Sequence, residues 1–147
     1  MSVTDIFPEG ISVFIPEKIE KNNQKNIALL KNINQSYVII DIRNNAYTIL
    51  SSSEEFYNLT GYTSEEIIGA DLSILEGFET SDRSIEKIDH TLLNNIELDI
   101  NIIYYRKDKT HFFSNIHLIP THNDDGLVEY FIVFQKEISK EMFVLSY

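Results

Sequence analysis

Apolar residues recur along this chain with two different periods, and the order in which the periods appear is informative. From Tyr37 the run YVIIDI (37–42) is β-branched and apolar. A turn-like Arg43-Asn44-Asn45 follows, and YTIL (47–50) then reads as a second strand of the same hairpin. Three further stretches alternate. LDINIIYY (98–105) places Leu98, Ile100, Ile102 and Tyr104 on one side. FFSNIHLI (112–119) groups Phe112, Ser114, Ile116 and Leu118, and YFIVFQKEI (130–138) groups Phe131, Val133 and Gln135. Their joins, RKDKT (106–110) and THNDDG (121–126), have the length and composition of hairpin loops. Between the two groups of strands, TSDRSIEKIDHTLLNN changes to helical spacing, with Ile85, Ile88 and Leu92 as one apolar stripe and Thr80 or Ser81 as its cap.

The stretch Ser53–Gly77 is a run of short helices. Ser52 or Ser53 can cap the first, with Glu54 and Glu55 suiting its positive end, Phe56 and Leu59 on one face, and Gly61 as a left-handed stop. Thr63 and Glu66 have capping-box spacing for the next helix, flanked by Tyr62 and Ile67 as a hydrophobic staple, and Gly69 ends it. Such short helices wrap a cavity rather than build a bundle. Ahead of the first strand, Ile11, Val13 and Ile15 alternate up to Pro16, and Glu17 to about Ile33 is helix-compatible with few apolar positions.

The segment 69–77, GADLSILEG, resembles without a gap the flavin-site motif G-R-N-C-R-F-L-Q-G of PAS domains of the LOV (light, oxygen, voltage) class, sharing Gly69, Leu75 and Gly77. The element order agrees from about Tyr37 to Ile138. The resemblance implies an α+β PAS fold: a five-stranded antiparallel sheet, short helices covering one face, and an N-terminal helical flank. It divides the chain into an N-terminal arm and helix (1–35), a PAS/LOV-like domain (36–140) and a C-terminal tail (141–147).

The same resemblance shows what has changed. The photoreactive cysteine falls on Leu72, and the chain contains no cysteine. The two arginines that hold a flavin phosphate fall on Ser73 and Asp89, and the two asparagines at the flavin ring fall on Tyr104 and Ser114. Asp71 and Glu76 replace the motif's asparagine and glutamine. Val133 replaces a glycine, and Gln135 alone is kept. Pocket-lining positions are therefore Gln135, Asp71, Leu72, Ser114, Tyr104, Ile102, Ile116 and Val133. No cofactor is expected, flavin mononucleotide being disfavoured by the lost polar contacts, and the apolar members are expected to collapse into a packed core.

Composition narrows the function further. The 147 residues are 43% hydrophobic and carry a formal charge of −11, which opposes binding to nucleic-acid backbone or anionic membrane. No apolar run reaches the roughly 20 residues that span a bilayer. MSVTDIF has no signal-peptide character, so a cytoplasmic location is expected. There is no G-x-S-x-G, P-loop or H-E-x-x-H, His111, His117 and His122 lack ligand spacing, and helical geometry places His90 in solvent away from the Ile85, Ile88 and Leu92 stripe, so neither an enzyme nor a metal site is expected. Asp41 near Arg43 reads as an ordinary surface pair.

The outward side of the strands is unusually apolar, with Ile103, Tyr105, Phe113, His117 and Ile119 opposite the inward positions. The expected function is a sensory or signalling module working through dimerisation or a partner protein on that sheet face. The alternative is a receptor that holds a flavin non-covalently or an apolar metabolite in the PAS pocket.

Overall fold

The computed structural model describes residues 35–43 and 45–145. Strands β1 (Tyr37–Asp41), β2 (Thr48–Ser52), β3 (Leu98–Tyr105), β4 (His111–His122) and β5 (Val128–Glu137) form one antiparallel sheet in the order β2-β1-β5-β4-β3. Helices α1 (Glu54–Thr60) and α2 (Ser64–Ile67), a 3-10 turn (Leu72–Leu75) and helix α3 (Asp82–Asn94) lie in sequence between β2 and β3. Helix α4 (Lys140–Leu145) starts at the last residue of the expected domain and runs into the stretch 141–147 expected as a tail. The expected N-terminal arm and helix lie outside the described residues.

Local chemistry sets the helix boundaries. Ser53 is the cap of α1: its hydroxyl accepts from Phe56 N and also from Tyr37 N at 2.9 Å, tying the helix start to β1. Gly61 closes α1 at φ 80°. Thr63 and Glu66 make the full capping box that opens α2. Ser81 caps α3, while Thr80 accepts from Gly77 N and donates to the Ile103 carbonyl at 2.7 Å, which fastens the loop to edge strand β3.

The inward residues of all five strands meet these helices. Val38, Ile40, Ile49, Phe56, Ile67, Leu72, Leu75, Ile88, Leu92, Ile102, Tyr104, Phe112, Ile116, Leu118, Phe131 and Val133 form one buried cluster. At a magnitude of about 1.5–3 kcal/mol for each fully buried large apolar side chain, this cluster dominates the stability of the fold.

Two features depart from the sequence expectation. Burial is two-sided along β1 and β5: Tyr37, Ile39, Tyr130, Ile132 and Phe134 on the outer face are as buried as the inner positions. Asp41 is also not a surface residue. It is 5% exposed, and both its oxygens accept from the Arg43 guanidinium at 3.0 Å, while that guanidinium lies 4.9 Å from the Tyr130 ring centroid. The pair sits where β1 neighbours β5, so the sheet, not the local sequence, buries it.

Candidate functional site

Strand register brings three of the expected pocket residues onto one line. Tyr104 pairs with Phe112, Ile102 with Ser114, and Ile116 with Gln135, so Tyr104, Ser114 and Gln135 follow a diagonal across β3, β4 and β5 on the inner face. All three are buried, at 1%, 0% and 3% exposure. Among the described residues the Tyr104 hydroxyl, the Ser114 hydroxyl and both amide atoms of Gln135 have no hydrogen-bond partner. Buried polar atoms are seldom left so, which makes this diagonal the most unusual part of the interior. Its walls are apolar: Leu72, Ile102, Ile116 and Val133 join Tyr104 in the packed cluster.

Asp71 is not part of this interior. It is exposed and caps the 3-10 turn, its carboxylate accepting from Ser73 N at 2.8 Å and from the Ser73 hydroxyl. The turn begins immediately after it, which holds its side chain at the rim while Leu72 points into the core.

A cavity of about 270 Å³ opens between the 3-10 turn, α3 and the segment joining β1 to β2, with Asp71 at its edge. Its apolar floor includes Ile40, Leu72, Ile88 and Leu92 from the core cluster. Its polar wall contains Asp71, Ser73, Glu76 and Asp89 and, among the described residues, no lysine, arginine or histidine. Glu76 and Asp89 accept no hydrogen bond from any described residue and pair with none. Burial, helped by the charges of Asp89 and Asp71, raises the pKa of the Glu76 carboxyl. The Tyr104 phenol, which does not line this cavity, is pushed up by burial and then by the charges of Glu76 and Asp89. Tyr47, also lining the cavity, holds φ 50°, a conformation uncommon for a bulky residue.

The outward residues divide. Ile119 is buried, whereas Ile103, Tyr105, Phe113 and His117 are half-buried. The Phe113 ring lies 5.0 Å from that of Phe143, the one buried side chain of α4. Tyr105 accepts from Glu79 N at 2.9 Å through its hydroxyl, and His117 Nε2 is 3.6 Å from the Glu97 carboxylate. His90 is exposed on α3, where the Asn94 side-chain amide lies 3.1 Å from its ring Nδ1 and donates to its backbone carbonyl at 2.8 Å. Among the described residues no group of three or more His, Asp or Glu side chains is placed to hold a metal ion, and no helix is long and apolar enough to cross a membrane. The docking of α4 on Phe113 was not read from the sequence, whereas the loss of cations at Ser73 and Asp89 was. That docking depends on which elements pack together.

A family profile for the PAS domain matches residues 34–140, and the chain belongs to the PAS domain family. Within that family it is LOV-like without the photoactive cysteine. It is 34% identical over 113 residues to phototropin-1A of Oryza sativa subsp. japonica, an alignment that covers 77% of this chain and 12% of that protein. It is 30% identical over 103 residues to a blue-light-activated histidine kinase of Rhizobium johnstonii, covering 70% of this chain and 30% of the kinase. The chain thus spans well under two thirds of these relatives. Among solved structures, the light state of the blue-light photoreceptor Aureochrome1 LOV superposes with a TM-score of 0.73 at 26% identity, covering 76% of this chain and 87% of that one. The PAS domain of the fruit-fly ELK potassium channel gives 0.69 at 27% identity, covering 71% and 86%.

The residues present do not fit flavin mononucleotide. The Tyr104 ring and the Leu72, Ile102, Ile116 and Val133 side chains fill the interior between sheet and helices. The cavity wall offers Ser73 and Asp89 where the resemblance places phosphate-binding arginines, so among the described residues a phosphate dianion would meet three carboxylates and no cation. With Leu72 at the cysteine position and no cysteine in the chain, a thiol–flavin bond cannot form.

Proposed function

We propose that this PAS module signals through protein contacts on the outer face of its sheet, with a second copy of the chain as the partner. The observation that carries the reading is the half-buried apolar strip Ile103, Tyr105 and Phe113, covered at Phe113 by a six-residue helix that is held through one buried side chain, Phe143. A helix that short has little stability of its own, so it can be exchanged for another apolar surface. The PAS domains of the histidine kinases and of the potassium channel are parts of larger signalling or gating proteins, which agrees with a module that acts on something else.

The test is molar mass by light scattering behind size exclusion, over a range of concentrations. The wild type is expected to associate, Phe113→Asp to run as a monomer with an unchanged circular dichroism spectrum, and Phe143→Ala, which uncovers Phe113, to associate at least as well as wild type. A wild type that stays monomeric, or a Phe113→Asp variant that still associates, overturns the reading. A second reading, a receptor for a small molecule, is favoured by the cavity and by the unpartnered polar diagonal behind it.

A further inference from the structure

Another face of α3 borders a second cavity, of about 510 Å³, between the helix and edge strand β3. That volume suits a small organic molecule. The two walls differ in kind. The strand wall carries Asp99, Asn101 and Asn115, which satisfy one another: the Asn115 amide donates to Asp99 Oδ1 at 2.7 Å and to Asn101 Oδ1 at 2.9 Å. The helix wall carries Ser81, Arg83, Ser84 and Lys87, and there the donors are left over.

Ser84 is the deepest of these four. It is only 9% exposed and lines the cavity, yet its hydroxyl has no hydrogen-bond partner among the described residues. A hydroxyl buried to that degree is ordinarily paired. Its backbone N–H donates to Ser81 Oγ at 3.4 Å, which leaves the proton of the Ser81 hydroxyl unclaimed. Arg83 and Lys87 stand four residues apart on the same side of α3. Both are exposed, and neither forms an ion pair with any described residue. With 23 acidic residues against 12 basic ones, a paired cation is the easier outcome in this chain. All four donors sit in the first two turns of a 13-residue helix, at its positive end.

These donors lack an acceptor that the protein itself supplies. The charge of the lining selects the acceptor's class. Two cations face one carboxylate, Asp99, and the remaining single positive charge matches a monoanion. A phosphate dianion would exceed it in a chain that is already at −11. Ile100 adds an apolar patch, and a groove of about 350 Å³ that shares Arg83 and Lys87 runs on over Thr91, Ile96 and Leu98, with Glu86 and His90 also in its lining. Ile96 is 44% exposed, so an apolar body laid there would remove hydrophobic surface from water.

We infer that the cavity between α3 and β3 is a binding site for a small organic carboxylate, its charged group held by Arg83, Lys87 and the Ser84 hydroxyl and its apolar body lying toward Ile96 and Leu98. This goes beyond the sheet-face reading and does not depend on it, because binding here can fail while association is intact, and the reverse.

The experiment uses the full chain with phenylacetate as probe, its neutral isostere 2-phenylacetamide, and inorganic phosphate. Binding is followed by calorimetry and by thermal shift at moderate salt. Phenylacetate is expected to bind and to raise the melting temperature as its concentration rises, the amide to do neither, and phosphate to bind more weakly than phenylacetate. Arg83→Gln and Lys87→Gln are each expected to weaken phenylacetate binding by about tenfold, as loss of a charge-assisted contact does. Ser84→Ala, which removes one buried oxygen and no charge, is expected to weaken it by about fivefold. Lys109→Gln, in the β3–β4 loop and outside both cavities, is expected to leave the affinity unchanged. Absence of phenylacetate binding, equal binding of the amide, or tighter binding of phosphate would overturn the assignment. So would a Lys109→Gln effect as large as that of Lys87→Gln, or an unchanged affinity in Ser84→Ala, either of which would mean loose attraction to surface cations rather than a built site.

Discussion

Adjacent tyrosines on β3 should respond to the same substitution with opposite signs. Tyr104 faces inward, is fully buried, and its hydroxyl has no partner among the described residues. Tyr105 faces outward, and its hydroxyl accepts from Glu79 N at 2.9 Å. Replacing either by Phe keeps the ring and removes one oxygen, so the hydrogen-bond account alone decides the outcome. An unsatisfied buried hydroxyl costs about 1–3 kcal/mol, whereas a satisfied one contributes about 0.5–1.5 kcal/mol. Tyr104→Phe is therefore expected to stabilise the protein by about 1 kcal/mol, and Tyr105→Phe to destabilise it by about the same. For a domain of this size each should move the melting temperature by roughly 4 °C. Urea denaturation followed by circular dichroism reads both, with the midpoint changing and the slope constant. A destabilised Tyr104→Phe would refute the reasoning. It would show that the hydroxyl is satisfied and that Tyr104, Ser114 and Gln135 form a completed network rather than an unpaired diagonal.

Three other perturbations follow from the geometry. Burial raises the Glu76 pKa, so in the pH range between its unfolded and folded values the native state binds more protons and stability falls as pH rises. Glu76→Gln should accordingly raise the melting temperature at neutral pH, and the gain should vanish once the solution is below the unfolded carboxyl's pKa; a gain that persists in acid would contradict this. Gly77→Ala would push a methyl into the Tyr105 ring, which is itself anchored to Glu79 N, so a loss of about 1–3 kcal/mol is expected in the same urea assay. Asp41→Asn weakens the hydrogen bonds to the exposed Arg43 guanidinium, which keeps the Glu129 carboxylate at 3.7 Å, and a loss of about 1 kcal/mol is expected, reduced little by salt because the Asp41 carboxylate is itself buried.

How much of this was legible depended on whether a feature is local. Strand β3 has the bounds that alternation gave it, Leu98–Tyr105, because a half-exposed edge strand shows its two faces in its own sequence. The Thr63–Glu66 capping box is equally local. The outer face of β1 and β5 was not legible in the same way. Tyr37, Ile39 and Asp41 are buried by position in the sheet, and a β-branched run looks alike with one face covered or two. The motif alignment set Asp71 and Leu72 side by side as pocket positions without giving their depth: they are neighbours in sequence, yet Leu72 is core and Asp71 rim. The loss of cations at Ser73 and Asp89 was legible from the motif, but that α3, the 3-10 turn and the β1–β2 connection enclose one space was not.

The central claim is that a LOV-like PAS fold has here lost its flavin chemistry. An absorption spectrum of the freshly purified protein, taken with and without added flavin mononucleotide and before and after blue illumination, tests it most directly. The packed interior and the carboxylate-lined cavity predict no structured blue band in the purified protein, no shift of free flavin's spectrum on addition, and no change on illumination beyond that of free flavin. A structured blue band that stays with the protein through gel filtration would contradict the account.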